Sequence, residues 1–279
     1  MRRAWSSVPG KGRWLKRRRA EERRVKDRDL TKTVEEVFDP ITLSHLYRLL
    51  SKGILRDIKG VVHSGKEARV YWGILKSGED AAVKIYLSFT AEFRKSIRKY
   101  IEGDPRFESI PKGNFRKLIY AWTRKEYRNL RRLWEHQVRV PRPIAFTGNI
   151  LVMEFIGEQG VRAPLLAEAV GELSRSEIMA IYDEVEANLY RMVCGAGLVH
   201  ADLSEYNIMV YKGKPWIIDV SQAVHYDHPH SKEFLERDIG NIYRFFSPVI
   251  DSGRIEALRE RLLGCLGEWL QRRRGRGYT

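Results

Sequence analysis

The spacing of apolar positions changes several times along the 279-residue chain, and each change predicts an element. Residues 33–52, TVEEVFDPITLSHLYRLLSK, carry helical spacing in two short pieces, the second capped by Thr42 and stopped at Gly53. From 68 to 87, ARVYWGILKSGEDAAVKIYL reads as two β-rich runs about a Ser-Gly turn, hence a hairpin. Helical spacing returns over 114–135, where Ile119, Trp122, Glu126, Leu130 and Leu133 share one stripe. NILVMEFIG (149–157) is again strand-like. Ser174 followed by Glu177 is a capping box, and it opens a helix whose apolar face is Ile178, Ile181, Tyr182, Val185, Leu189 and Met192. That helix stops at Gly195 and Gly197, and two further helical segments, about 232–247 and 254–271, finish the chain. Strands therefore gather before Gly157 and helices after it, which predicts an α+β protein with a β-rich half and a helical half.

Between the two halves the pattern breaks. LVHADLSEYNIMV (198–210) begins and ends as a buried strand but carries His200, Asp202, Glu205 and Asn207, groups that are expensive to bury. The following IMVYKGKPWIIDV holds two apolar runs about a turn centred on Gly213, so residues equidistant from Gly213 face each other. Asn207 and Asp219 are each six residues away and are predicted to meet. An amide oxygen beside a carboxylate suits Mg²⁺. The spacing H-x-D-x-x-x-x-N is that of a kinase catalytic loop, in which the Asp handles the nucleophile's proton and the Asn holds metal. The plainer reading, an Asp and an Asn capping a turn, is weakened by the paired Asp219.

Upstream, Lys84 sits between Val83 and Ile85 in a strand, either on an exposed edge or aimed at phosphates. Glu126 falls on the apolar stripe of the 114–135 helix, and a carboxylate buried there needs a cation. Lys84 is one candidate; Arg124 or Arg128, with Glu126 at the rim, is the other. Ser64, Gly65 and Lys66 form a turn whose backbone N–H groups could cover phosphates, though the stretch is no full G-x-G-x-x-G loop.

Size and charge narrow the class. The chain is long enough for one large core or two lobes, and no apolar run approaches the roughly 20 residues that span a bilayer. Two distant cysteines, Cys194 and Cys265, predict no disulfide framework and a cytoplasmic setting, with Cys194 a packed thiol. The 51 Lys and Arg against 36 Asp and Glu give +15, unevenly placed. Residues 1–28 hold 12 bases and 3 acids, 92–132 hold 13 and 5, and QRRRGRGYT ends the chain. Such zones point to a polyanionic partner such as RNA; the alternative is that they serve solubility or nonspecific binding. His225, His228 and His230 read as a polar loop, His200 as a support for the loop, and Glu205 has no assigned role.

Together, VVHSGKEARVYWG, AVKIY, LVHADLSEYNIMV, IIDVSQAV and DHPHSKEFLERDIGNI resemble the RIO family of atypical serine protein kinases, closest to its Rio one subfamily; the sister Rio two subfamily carries Asp-Phe-Pro where IIDVSQ stands, and a winged helix in front. The resemblance covers roughly residues 50–250. It implies a small two-lobed protein-kinase-like fold divided as a basic arm (1–30), a helical extension (31–59), a β-rich N-lobe with a Lys–Glu helix (60–157) and a mainly helical C-lobe with a basic tail (158–279). It further implies ATP and Mg²⁺ (or Mn²⁺) between the lobes. Ser64 and Lys84, the latter paired with Glu126, would meet the phosphates; Glu154 and Ile156 would meet adenine through their backbone, with Met153 behind it. Asp202 would be the catalytic base, Asn207 and Asp219 metal ligands, and Asp219 also an acceptor of phosphate during ATP hydrolysis. The family acts in maturation of the small ribosomal subunit, so the implied partners are the pre-ribosomal particle, its RNA, and a protein serine that could be the chain's own. Ser96 and Ser109, in the stretch 88–112, are the candidates for autophosphorylation. Two departures from ordinary protein kinases stand out: Val220 and Ser221 replace Phe-Gly after the metal aspartate, and no Ala-Pro-Glu signature follows. A chiefly ATPase activity is thus a second reading. A small-molecule kinase of the aminoglycoside or choline type is a third, disfavoured by the short chain after Asp219.

Overall fold

The computed structural model describes residues 39–87, 97–101, 104, 107 and 114–274, the side chains of Leu270 and of residues 272–274 excepted. The basic arm, the tail beyond 274, and Ser96 and Ser109 lie outside the described residues.

The first described helix, α1 (Pro40–Ser51), starts one turn earlier than its sequence suggests. Pro40 occupies the first position, and Asp39, not Thr42, caps it by accepting the Thr42 N–H. The chain then turns at Gly53 into β1 (Leu55–Ser64), β2 (Ala68–Leu75) and β3 (Asp80–Tyr86). β1 runs across the expected boundary at 59/60, so residues 55–59 belong with the strands and not with the helical extension. Its apolar positions do not alternate, because pairing with β2 is irregular between Leu55 and His63. With β5 (Ile150–Glu154) and β4 (Pro143–Thr147) these strands form an antiparallel sheet in the order β1-β2-β3-β5-β4.

Helices cover both faces of this sheet. Leu49 of α1 packs with Leu55, Tyr71, Val83, Ile85, Ile150 and Val152 on one face. Gly148, at φ +56°, permits the close approach, since a Cβ there would stand 2.0 Å from the His45 ring. Asn149 pins α1 to the sheet, donating to Thr42 Oγ1 at 3.0 Å and Tyr86 C=O at 2.9 Å. On the other face lies α2 (Phe115–Glu135), capped by Asn114, with Ile119, Trp122, Leu130 and Leu133 buried.

Past two short strands, β6 (Gly157–Glu158) and β7 (Val161–Arg162), and the turn-length α3 (Leu166–Ala169), the second half is mainly helical. α4 (Arg175–Tyr190) opens on the expected box of Ser174 and Glu177 and widens into a π turn over Arg191–Gly195. Then come β8 (Leu198–Val199), the hairpin β9 (Ile208–Tyr211) and β10 (Lys214–Ile217), β11 (Val224–His225), α5 (Ser231–Phe246) and α6 (Ser252–Arg274).

Two expectations fail here. The hairpin turns on Lys212 and Gly213, both at positive φ (52° and 73°), so strand partners sum one lower than assumed. Asn207 therefore lies opposite Ile218, whose N–H it accepts at 3.0 Å, and not opposite Asp219. The cysteines are also paired: α6 folds back on the end of α4, bringing Cys194 and Cys265 to a Cα separation of 5.3 Å in a disulfide. Linear distance said nothing about this proximity. Among the described residues no helix is long and apolar enough to cross a membrane.

Candidate active site

Strand periodicity places the first groups. In β3, Val83 and Ile85 turn to the α1 side, so Lys84 and Tyr86 share the face toward α2. There Lys84 Nζ meets Glu126 Oε1 at 2.8 Å, and the Tyr86 hydroxyl donates to Glu126 Oε2. Glu126 is 1% exposed, and the rim pairing with Arg124 or Arg128 does not form. The same ammonium reaches Asp219 Oδ1 at 2.9 Å, which ties the sheet to the helical half.

Asp219 leaves β10 at φ +55°, a left-handed conformation uncommon for a non-glycine residue. That turn, rather than hairpin register, brings its carboxylate to the same cavity as Asn207. The side chain keeps 47% of its surface open. Burial opposes its ionisation, but the Lys84 ammonium and the Ser221 hydroxyl, which donates at 2.9 Å, outweigh burial and bring it down to about 2. Lys84 is held well above its ordinary value, since Asp219 and Glu126 overcome the desolvation that works against its charge. Burial raises Glu126 against the pull of Lys84, and raises Tyr86 so that its proton stays in place.

The catalytic-loop candidates sit beside this triad. Ala201, at φ +67°, and Leu203 donate backbone N–H groups to Asp238 of α5 at 2.7 and 2.9 Å, so the loop is held from below on both sides of Asp202. Burial raises Asp202, with Asp219 adding to the rise and His200 opposing it. A carboxylate with more proton affinity than usual suits a general base. His200 is buried with Nε2 at 3.1 Å from Ile218 C=O, and desolvation lowers its pKa. Asn207 Nδ2 donates to Asp202 C=O at 2.7 Å, which leaves its amide oxygen for another partner.

Lys84, Tyr86, Asn207, Asp219 and Ser221 border a cavity of about 330 Å³ between the two halves, and Asp202 and Glu126 stand outside its lining. Gly65 and Lys66 roof it, Ala68, Val70 and Ala82 form one wall, and Met153, Glu154, Phe155 and Ile156 form its back. Ser64 does not line it: the residue ends β1 opposite Arg69, and its neighbours His63, Gly65 and Lys66 take that place. An apolar slot with a lysine and an ionised carboxylate at one end fits a planar base and a phosphate chain. The oxygens of Asn207 and Asp219 are the hard donors a divalent cation prefers.

Four supporting residues were not singled out in the sequence. Tyr86 could have been found two positions after Lys84, on the same strand face. Lys125, 1% exposed, donates to Ser221 C=O at 2.8 Å, and Asn129 donates to Val220 and Ala223 C=O at 2.9 and 3.0 Å. Asn129 lies one helical turn beyond Glu126, so helical spacing was its signal. Asp238 lies within the motif DHPHSKEFLERDIGNI, but its role there is not readable from spacing, because its partners lie 35 and 37 residues away.

Comparison with known proteins bears on the family and the fold. The family described as the RIO domain matches residues 69–256. The chain is 43% identical over 224 residues to human serine/threonine-protein kinase RIO1, a match covering 80% of this chain and 39% of that protein. It is 40% identical over 247 residues to RIO-type serine/threonine-protein kinase Rio1 of Haloferax volcanii, covering 88% and 82%. The chain thus spans less than half of the human relative and most of the archaeal one. A solved Rio2 kinase–ADP/Mg²⁺–phosphoaspartate complex from Chaetomium thermophilum shares the fold at a TM-score of 0.58 and 22% identity, over 80% of this chain and 69% of that one. With a catalytic-loop spacing, a Lys–Glu pair and a matching profile over most of its length, the chain belongs to the RIO kinase family, on its RIO1 branch.

Proposed function

We propose that the chain is an ATP- and Mg²⁺-dependent serine/threonine protein kinase of the RIO type, able to phosphorylate itself and acting in small-subunit ribosome maturation in the cytoplasm. The observation that carries the catalytic part is Lys84 held between Glu126 and Asp219 at the head of the inter-lobe cavity. Lys84 orients phosphate oxygens, and Glu126, gripped also by Tyr86, fixes the ammonium's direction. Met153, Glu154 and Ile156 seat the base. Asn207 and Asp219 would hold Mg²⁺, which when bound neutralises phosphate charge. Asp202 accepts the proton of the attacking serine hydroxyl, and Asp238 keeps the loop in register. The basic zones supply affinity for pre-ribosomal RNA.

The Rio2 complex contains ADP, Mg²⁺ and a phosphoaspartate, and it favours a second reading in which ATP turnover passes through an aspartate. Asp219, ionised and half-open to the cavity, is the candidate acceptor here. Labelled ATP followed with wild type, Asp202→Ala and Asp219→Asn, with and without small-subunit precursors, separates the two. Transfer to a separate protein supports the kinase, whereas phosphate released only with particles supports the ATPase. Turnover unaffected by Asp219→Asn would remove the metal assignment.

A further inference from the structure

The outward face of α2 carries positive charge that the active site does not use and that the described residues offset only in part. Arg116, Lys117, Arg124, Arg128, Arg131 and Arg132 are all exposed. At about 100° per residue, Lys117, Arg124, Arg128 and Arg131 fall within about 60° of one another, a ridge about 21 Å long. Arg128 has like charges three and four positions on and four positions back, an arrangement that weakens a helix. Relief among the described residues is slight. Arg131 reaches Glu135 at 3.4 Å with both side chains exposed, and Arg132 gives its Nε to Ala196 C=O. Among the described residues, Lys117, Arg124 and Arg128 have no acidic partner. The other side of α2 is committed to Trp122, Glu126 and Leu130, so the helix cannot roll the charge inward.

At its C-terminal end the ridge opens on a second cavity, of about 600 Å³, bordered by Arg128, Arg132, His136 and His225. Asp104, Glu135 and Asp227 also border it, but Asp227 faces His225 at 3.2 Å and Glu135 faces Arg131. Trp134 stands beside the ridge with 49% of its surface exposed. Guanidinium groups in a row, next to an open aromatic face, match a flexible RNA strand: the arginines take phosphates and the indole stacks an unpaired base. An acidic protein would want the cations but has no use for Trp134 as a stacking platform.

We propose that this ridge, Lys117 through Arg132 with Trp134, is a docking surface for the phosphodiester backbone of single-stranded RNA. It deepens, and rests on, the RNA contact proposed above by naming the face that makes it. Glu126 turns inward to Lys84 while the ridge turns outward, so bound RNA leaves the nucleotide cavity open.

The test is fluorescence anisotropy of a labelled 20-nucleotide single-stranded RNA with the full chain across a KCl series. Wild type is compared with R124A/R128A/R131A, R124K/R128K/R131K, W134A and the arm variant R17A/R18A/R19A. The triple alanine variant should bind at least tenfold more weakly and flatten the slope of log K against log[salt] by about 2, at about 0.7 per lost contact. The triple lysine variant should restore that slope, and W134A should weaken binding about tenfold with the slope unchanged. Melting curves and ATP binding check that each variant is folded; if the alanine variant is not, Glu substitution at Arg128 alone carries the same expectation for one contact. Wild-type affinity and slope in the alanine variant, with loss confined to the arm variant, would overturn the ridge and keep the RNA reading. No RNA binding by wild type would overturn both. Displacement of the RNA by polyglutamate as readily as by unlabelled RNA would also overturn it.

Discussion

Lys84, Glu126 and Asp219 show how single side chains are placed against their own preference for water. Each is a charge that burial penalises, and each is retained because a partner stands within 3 Å. Tyr86 completes the set by satisfying the second oxygen of Glu126. Tyr86→Phe leaves that oxygen buried and one donor short, a loss of about 1–3 kcal/mol. The expected outcome is a lower melting temperature together with a several-fold higher KM for ATP and a smaller change in kcat. Unchanged KM would show that Lys84 alone holds Glu126.

At the scale of elements, the loop that carries Asp202 is held to α5 through Asp238. Asp238 accepts two loop N–H groups, and burial, which those bonds and Arg237 only partly offset, raises its carboxyl to about 7. Unfolded, this group titrates near the ordinary aspartate value. Between about pH 4 and 7 the folded chain therefore binds a proton that the unfolded chain has lost, and stability from this group falls as pH rises through that window. Urea titrations at pH 5 and pH 7.5 should show this fall in wild type and a flatter dependence in Asp238→Asn. Equal slopes would mean Asp238 is ionised throughout.

Across the whole molecule, two cross-links between distant segments matter most. Lys84 joins the β-rich half to Asp219 across the inter-lobe cavity, so the contact that links the halves lies within the candidate site itself. The Cys194–Cys265 disulfide ties α6 to the π turn that leads into β8 and the Asp202 loop. Closing a loop over 71 residues is worth roughly 4 kcal/mol, a large share of ordinary domain stability. Cys265→Ser, or reduction with dithiothreitol, should lower the melting temperature markedly. If neither shifts it, the link contributes nothing to folding.

The sequence by itself determined most of the helices, the β2–β3 hairpin, the site motifs and the need of Glu126 for a cation, leaving Lys84 as one of two candidates that the structure then chose between. Periodicity says which face a residue takes, and a carboxylate on an apolar stripe demands a cation. It also carried enough collinear motif to reach the family. Tertiary structure alone decided the rest. The turn at Lys212 and Gly213 shifts the hairpin register by one residue, and the left-handed backbone at Asp219 carries its side chain to the cavity that Asn207 also lines. Ser64 yields its place in the cavity to its neighbours because the β1–β2 ladder fixes where the strand ends. Asp238 and the disulfide join residues separated by 35 to 71 positions, and local spacing holds no information on contacts made only when whole elements pack.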